Sequence, residues 1–62
     1  MQFHIENMTC GDCARRVTKA IQSADPAANV TADPASHKVA VTTTARRESL
    51  VAALNDAGYA PA

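Results

Sequence analysis

The sequence predicts an α+β sandwich with the order strand, helix, strand, strand, helix, strand. Three observations carry it: two stretches repeat apolar residues every three or four positions, short alternating stretches lie around them, and turn-forming residues mark the junctions.

Residues 2–6 alternate, with Phe3 and Ile5 on one face and His4 and Glu6 on the other, as a half-buried strand does. Asn7 follows, a residue that tolerates tight backbone conformations. A helix comes next, with Cys13, Val17, Ala20, Ile21 and Ala24 along its apolar stripe and Arg15, Arg16, Lys19 and Gln22 elsewhere. Asp25-Pro26 ends it, because a residue before proline avoids the helical region. Ala28, Val30 and Ala32 form one alternating row and Val39 and Val41 another. Asp33-Pro34-Ala35-Ser36 lies between them and makes the pair a hairpin. Thr44 is the expected N-cap of a second helix whose stripe is Leu50, Ala53, Leu54 and Ala57, with Gly58 as the glycine past its end. Residues 59–62 would form a short last strand, confined to a sheet edge by Pro61. This order is the split βαβ, or ferredoxin-like, arrangement: a four-stranded antiparallel sheet with both helices on one face.

With 62 residues, the chain is read as one domain with a small core, which leaves little room for an internal substrate pocket. Any function therefore belongs on the surface. Six basic residues balance six acidic ones, so no nucleic-acid footprint is expected. No run approaches the roughly 18 apolar residues of a membrane span. The N-terminus lacks the basic and apolar regions of a signal peptide, and a cytoplasmic location follows as the expectation.

The chemistry is concentrated in Met8-Thr9-Cys10-Gly11-Asp12-Cys13, where the first strand hands over to the first helix. Thr9 and Asp12 have the spacing of a capping box, which would place Cys10 and Cys13 in the first helical turn. Unpaired backbone N–H groups and the positive end of the helix dipole favour thiolates there, and the thiolate is both nucleophile and metal ligand. Gly11 keeps the turn small and leaves room for a partner. Asp12 complements the dipole and can pair with Arg15 or Arg16, but it sets a negative charge and a hard oxygen beside the thiols. Two thiolates without a third soft ligand suit copper(I), whereas a closed structural zinc site wants four ligands and the chain has only two cysteines. The competing reading of the pair is a thiol-disulfide oxidoreductase. Against it stand the short chain, the lack of tryptophan and the Asp at position 12.

The pattern Met8-x-Cys10-x-x-Cys13 after a first strand, in a βαββαβ chain of this size, resembles the heavy-metal-associated domain family. That family includes copper chaperones and the N-terminal metal-binding domains of copper-transporting P-type ATPases. The likeness runs from Phe3 to Tyr59, and the Gly58-Tyr59 pair looks like the bacterial chaperone version. It implies Cys10 and Cys13 as ligands, Met8 as a tether turned into the core, and Tyr59 as an aromatic near the site. Asn7 stands where the family usually has glycine. The implied function is binding of copper(I) and its delivery, by thiolate exchange, to a metal-binding domain of a copper-transporting ATPase, without catalysis. A zinc, cadmium or mercury carrier shares the fold, and a metal-bridged homodimer is a further expectation. Arg15, Arg16 and Lys19 flank the site and would steer an acidic partner. His4 and His37 have no partner at ligand spacing in the sequence.

Overall fold

The computed structural model describes residues 1–61. Strand β1 (Gln2–His4) is followed by helix α1 (Gly11–Ala24), strands β2 (Asn29–Asp33) and β3 (Lys38–Thr42), and helix α2 (Arg47–Asp56). The strands form an antiparallel sheet of order β1-β3-β2, with Phe3 opposite Val39 and Val30 opposite Val41. Alternation sends Phe3, Val39 and Val41 to the inner face, while Gln2, Lys38, Ala40 and Thr42 stay exposed. Helix α1 packs on α2 and on β2, and the core closes over Ile5, Met8, Val17, Ile21, Leu50 and Leu54, all fully buried.

Each junction has a local cause. The β2–β3 turn is held by Asp33, which accepts from the Ala35 amide at 3.1 Å and the Ser36 hydroxyl at 2.9 Å. His37 completes it in the left-handed region, at φ 59°. At the end of α1, Asp25 accepts from the Ala27 amide at 3.1 Å and from the Thr43 hydroxyl. That use of Thr43, which also accepts from the Ala45 amide at 3.0 Å, displaces the expected start of α2. Thr44 is not the cap; the N-cap is Arg46, with no side-chain cap bond. The buried residues of α2 are Leu50 and Leu54, with Ala53 half-buried and Ala57 exposed as the C-cap. Arg47 ties the helix start to β1, its guanidinium 4.3 Å from the Phe3 ring centroid and donating to the Gln2 carbonyl at 3.0 Å.

Gly58 closes α2 as expected, at φ 84°. The Gly58 amide donates to the Asn55 carbonyl at 3.1 Å and the Tyr59 amide to the Leu54 carbonyl at 2.9 Å, the two bonds of a Schellman motif. Tyr59 and Leu54 are both buried, which supplies its apolar contact. The fold is the α+β ferredoxin-like sandwich. Main-chain ladders join three strands among the described residues. Residues 59–61 leave the cap with the Tyr59 N–H committed to Leu54 and with no N–H on Pro61. Ala62, the end of the expected last strand, lies outside the described residues.

A Cβ at Gly58 would meet nothing within 4 Å, so replacing it strains only the backbone. Gly58→Ala should cost about 1–2 kcal/mol in stability, read as a lower midpoint in urea unfolding. An unchanged midpoint would mean that the left-handed cap is not what ends α2.

Candidate metal centre

Helix α1 does not begin as the capping-box reading expects. Its N-cap is Cys10, at φ −147° and ψ 172°, and Thr9 and Asp12 do not form the reciprocal pair. The frame is shifted by one residue, so Cys13 occupies the third helical position. At that position, main-chain hydrogen bonding from Thr9 and Cys10 is among the causes that lower its thiol. Asp12 instead turns outward and accepts from Arg15, one helical turn on. It is not among the groups that shift the Cys13 thiol.

The two sulfurs lie 3.2 Å apart and are free thiols, Cys10 exposed and Cys13 half-buried. Hydrogen bonding from the Tyr59 hydroxyl, then from the Cys10 thiol, then from the Thr9 main chain, lowers the Cys13 thiol from its ordinary 9.0 to about 6. Burial opposes this and does not prevail. The same contact, with Cys13, raises the Tyr59 phenol, while Arg16 bonding to the phenol works the other way. The thiolate form of Cys13 is therefore favoured toward neutral pH, with the Tyr59 phenol as its largest support.

Several neighbouring residues shape the surroundings. Met8 is fully buried in the core, so its thioether does not face the thiols' open side. Asn7 has no left-handed backbone, and its place in the loop has another cause: its side-chain amide donates to the Gly58 carbonyl at 2.7 Å. This bond links the loop before the cysteines to the cap that carries Tyr59. It was not legible in the sequence, since 51 residues separate the two partners. A Cβ on Gly11 would meet nothing within 4 Å, so that position is open outward. Arg15, Arg16 and Lys19 are all exposed on α1 beside the site, with Arg15 already engaged by Asp12. No three His, Cys, Asp or Glu side chains converge on one point among the described residues.

The family model of the heavy-metal-associated domain matches residues 2–60. The chain belongs to the heavy-metal-associated domain family. The domain is 49% identical to a gold-binding protein of known crystal structure, covering 98% of this chain and 94% of that one at a TM-score of 0.94. It is 37% identical to a trimeric form of the copper chaperone Atx1 from Synechocystis PCC6803, covering 100% and 98% at a TM-score of 0.96. It is also 38% identical over 61 residues to a copper-transporting ATPase of Rhizobium meliloti. That alignment takes in 95% of the domain but only 7% of the ATPase. No helix among the described residues is long and apolar enough to cross a membrane.

A thiol with a depressed pKa gives a definite sign to the pH dependence. The stabilisation from the Cys13 thiolate is fully present above the ordinary thiol pKa of 9.0 and is lost as pH falls through about 6. The metal-free, reduced domain should therefore unfold more easily at pH 5 than at pH 8, and Cys13→Ser should flatten that slope. In the same protein, Tyr59→Phe should move the thiolate ultraviolet titration upward from about 6, whereas Asp12→Asn should leave it in place. A titration unmoved by Tyr59→Phe would remove the phenol from the thiolate's support.

Proposed function

We propose that this domain binds one soft metal ion, copper(I), through Cys10 and Cys13 and passes it by thiolate exchange to a second dithiol protein. The observation that carries the reading is the pair of sulfurs 3.2 Å apart at an exposed helix start, one of them held as thiolate. A soft ion prefers thiolate donors. At metal–sulfur distances of about 2.3 Å, two sulfurs on one ion stand about 3.8 Å apart in a tetrahedral arrangement and about 4.6 Å in a linear one. The pair must therefore open by roughly an ångström. Exposed Cys10, in extended backbone at the helix edge, can swing outward while Cys13 stays anchored.

The copper chaperone and the copper-transporting ATPase among the relatives support copper as the cargo, and the gold-binding relative supports softness as the selecting property. Zinc, cadmium and mercury are the competing ions, and zinc would need donors from outside the domain to fill its four-coordinate shell. The receiving partner is a metal-binding domain of a copper-transporting P-type ATPase, and a metal-bridged homodimer is the symmetric version of the same exchange. Arg15, Arg16 and Lys19 would meet acidic groups on that partner. Asp12 reduces the charge that Arg15 can offer, so Arg16 and Lys19 carry more of the steering. No bond-making catalysis belongs to this reading.

The test is an anaerobic titration of the reduced domain with copper(I) against a competing chelator, repeated with zinc. Uptake of about one copper per chain or per dimer is expected, with zinc much weaker and Cys10→Ser and Cys13→Ser both abolishing stoichiometric binding. Tight binding retained in the double variant, or zinc prevailing, would overturn the assignment. The transfer arm uses an acidic-surfaced dithiol domain: Lys19→Glu should slow transfer at low salt and leave copper affinity unchanged.

A further inference from the structure

The sequence separates His4 from His37 by most of the sheet, yet the β1–β3 pairing brings them together. Their ring centroids are 5.9 Å apart and the rings are tilted by 52°. His4 lies on β1, and His37 is fixed just before β3 by its left-handed turn and by its carbonyl, which accepts from the Ile5 amide at 2.8 Å.

Each imidazole has one nitrogen already committed. His4 Nε2 lies 2.7 Å from the Glu6 carboxylate. At neutral pH the Glu6 carboxylate is ionised and can only accept. His37 Nδ1 lies 3.1 Å from the Met8 carbonyl, which also can only accept. In the neutral rings, the protons therefore sit on His4 Nε2 and His37 Nδ1. The lone pairs are left on His4 Nδ1 and His37 Nε2. Metal-binding histidines are arranged in this way, one ring nitrogen donating to a carboxylate or backbone carbonyl and the other facing the ion.

We propose that His4 and His37 form a second cation site, a two-imidazole site for a borderline divalent ion such as zinc, with Glu6 and the Met8 carbonyl as its outer hydrogen-bond acceptors. Two imidazoles sharing a tetrahedral ion at metal–nitrogen distances of about 2.0–2.1 Å have centroids about 5 Å apart. The observed 5.9 Å exceeds that by about 0.9 Å, and the half-exposed His4 ring is the one that would turn to close the gap. Water fills the remaining positions, since no third donor converges there among the described residues. Lys38, paired with His4 across the ladder, works against a cation, and the Glu6 carboxylate offsets it. Neutral imidazole suits zinc and copper(II) better than copper(I), so this site and the dithiol select different ions.

The experiment uses the full chain carrying Cys10→Ser and Cys13→Ser, which leaves no thiolate and makes the outcome independent of the dithiol reading. Zinc chloride alone is titrated, and the imidazole nitrogens are followed by NMR. Saturable one-to-one shifts are expected at His4 Nδ1 and His37 Nε2. His4→Gln and His37→Asn should each weaken binding at least tenfold, and Asn tolerates the left-handed backbone at position 37. Glu6→Gln should weaken it about tenfold, as loss of an outer partner does. If zinc moves neither imidazole, or if His4→Gln binds as tightly as its parent, the two rings are a packing contact and the proposal fails.

Discussion

The start of helix α1 is the constraint on which the rest of the site depends. A helix leaves its first amides without partners, and something must sit over them. Here no side chain caps the helix at the N-cap, and main-chain hydrogen bonding from Thr9 and Cys10 helps to lower the Cys13 thiol at the third helical position. The helix start thus supports the thiolate that the proposed function offers to a metal. A Glu at that position would place a hard oxygen among the donors and favour harder ions. The turn keeps its softness because the acidic residue it does contain, Asp12, is drawn outward by Arg15.

Tyr59 reaches this sulfur from the other end of the chain, and the path is made of backbone geometry. Gly58 takes the left-handed conformation, the Tyr59 amide returns to Leu54, and the ring is laid down between core and thiol at 7% exposure. The Asn7 amide then ties the two loops together through the Gly58 carbonyl. One sulfur is therefore fixed on three sides, by helix, phenol and core, while the other stands at the exposed N-cap with few restraints. That asymmetry suits the proposed exchange: an anchored thiolate holds the ion while a loose one gives up its place to an incoming sulfur.

How much of this was legible in the sequence divides along a physical line. Periodicity fixes which face is buried, and it identified Phe3, Val17, Ile21, Val39, Val41, Leu50 and Leu54 before any coordinates, because burial dominates the energetics of so small a domain. Gly58 was legible for a similar reason, since few residues other than glycine take the left-handed region cheaply. The caps were not. Thr9 with Asp12 and Thr44 have sound capping chemistry, but each N-cap bond is worth about 1 kcal/mol and yields to any better local arrangement. The Cys10 N-cap and Thr43 on Asp25 were those arrangements. The Asn7–Gly58 bond and the His4–His37 contact join residues far apart in sequence, and a local pattern carries no trace of either.

The small core also explains why the chemistry is spread over the surface. No buried side-chain nitrogen or oxygen lacks a partner among the described residues, and no polar or charged residue is among the buried ones. Burying an ion with a full donor shell would require desolvating several charged groups, at several kcal/mol each, in a domain whose total stability is of that order. A two-donor site at the rim avoids that cost and leaves the shell incomplete. Under the proposed function, selectivity would rest on the softness of two sulfurs and on a partner that supplies the missing donors. The charge around the rim is correspondingly directional: Arg15 is engaged by Asp12, while Arg16 and Lys19 stay exposed along α1. A partner steered by Lys19 and Arg16 would approach along the α1 side of the dithiol, where Gly11 places no side chain in its way.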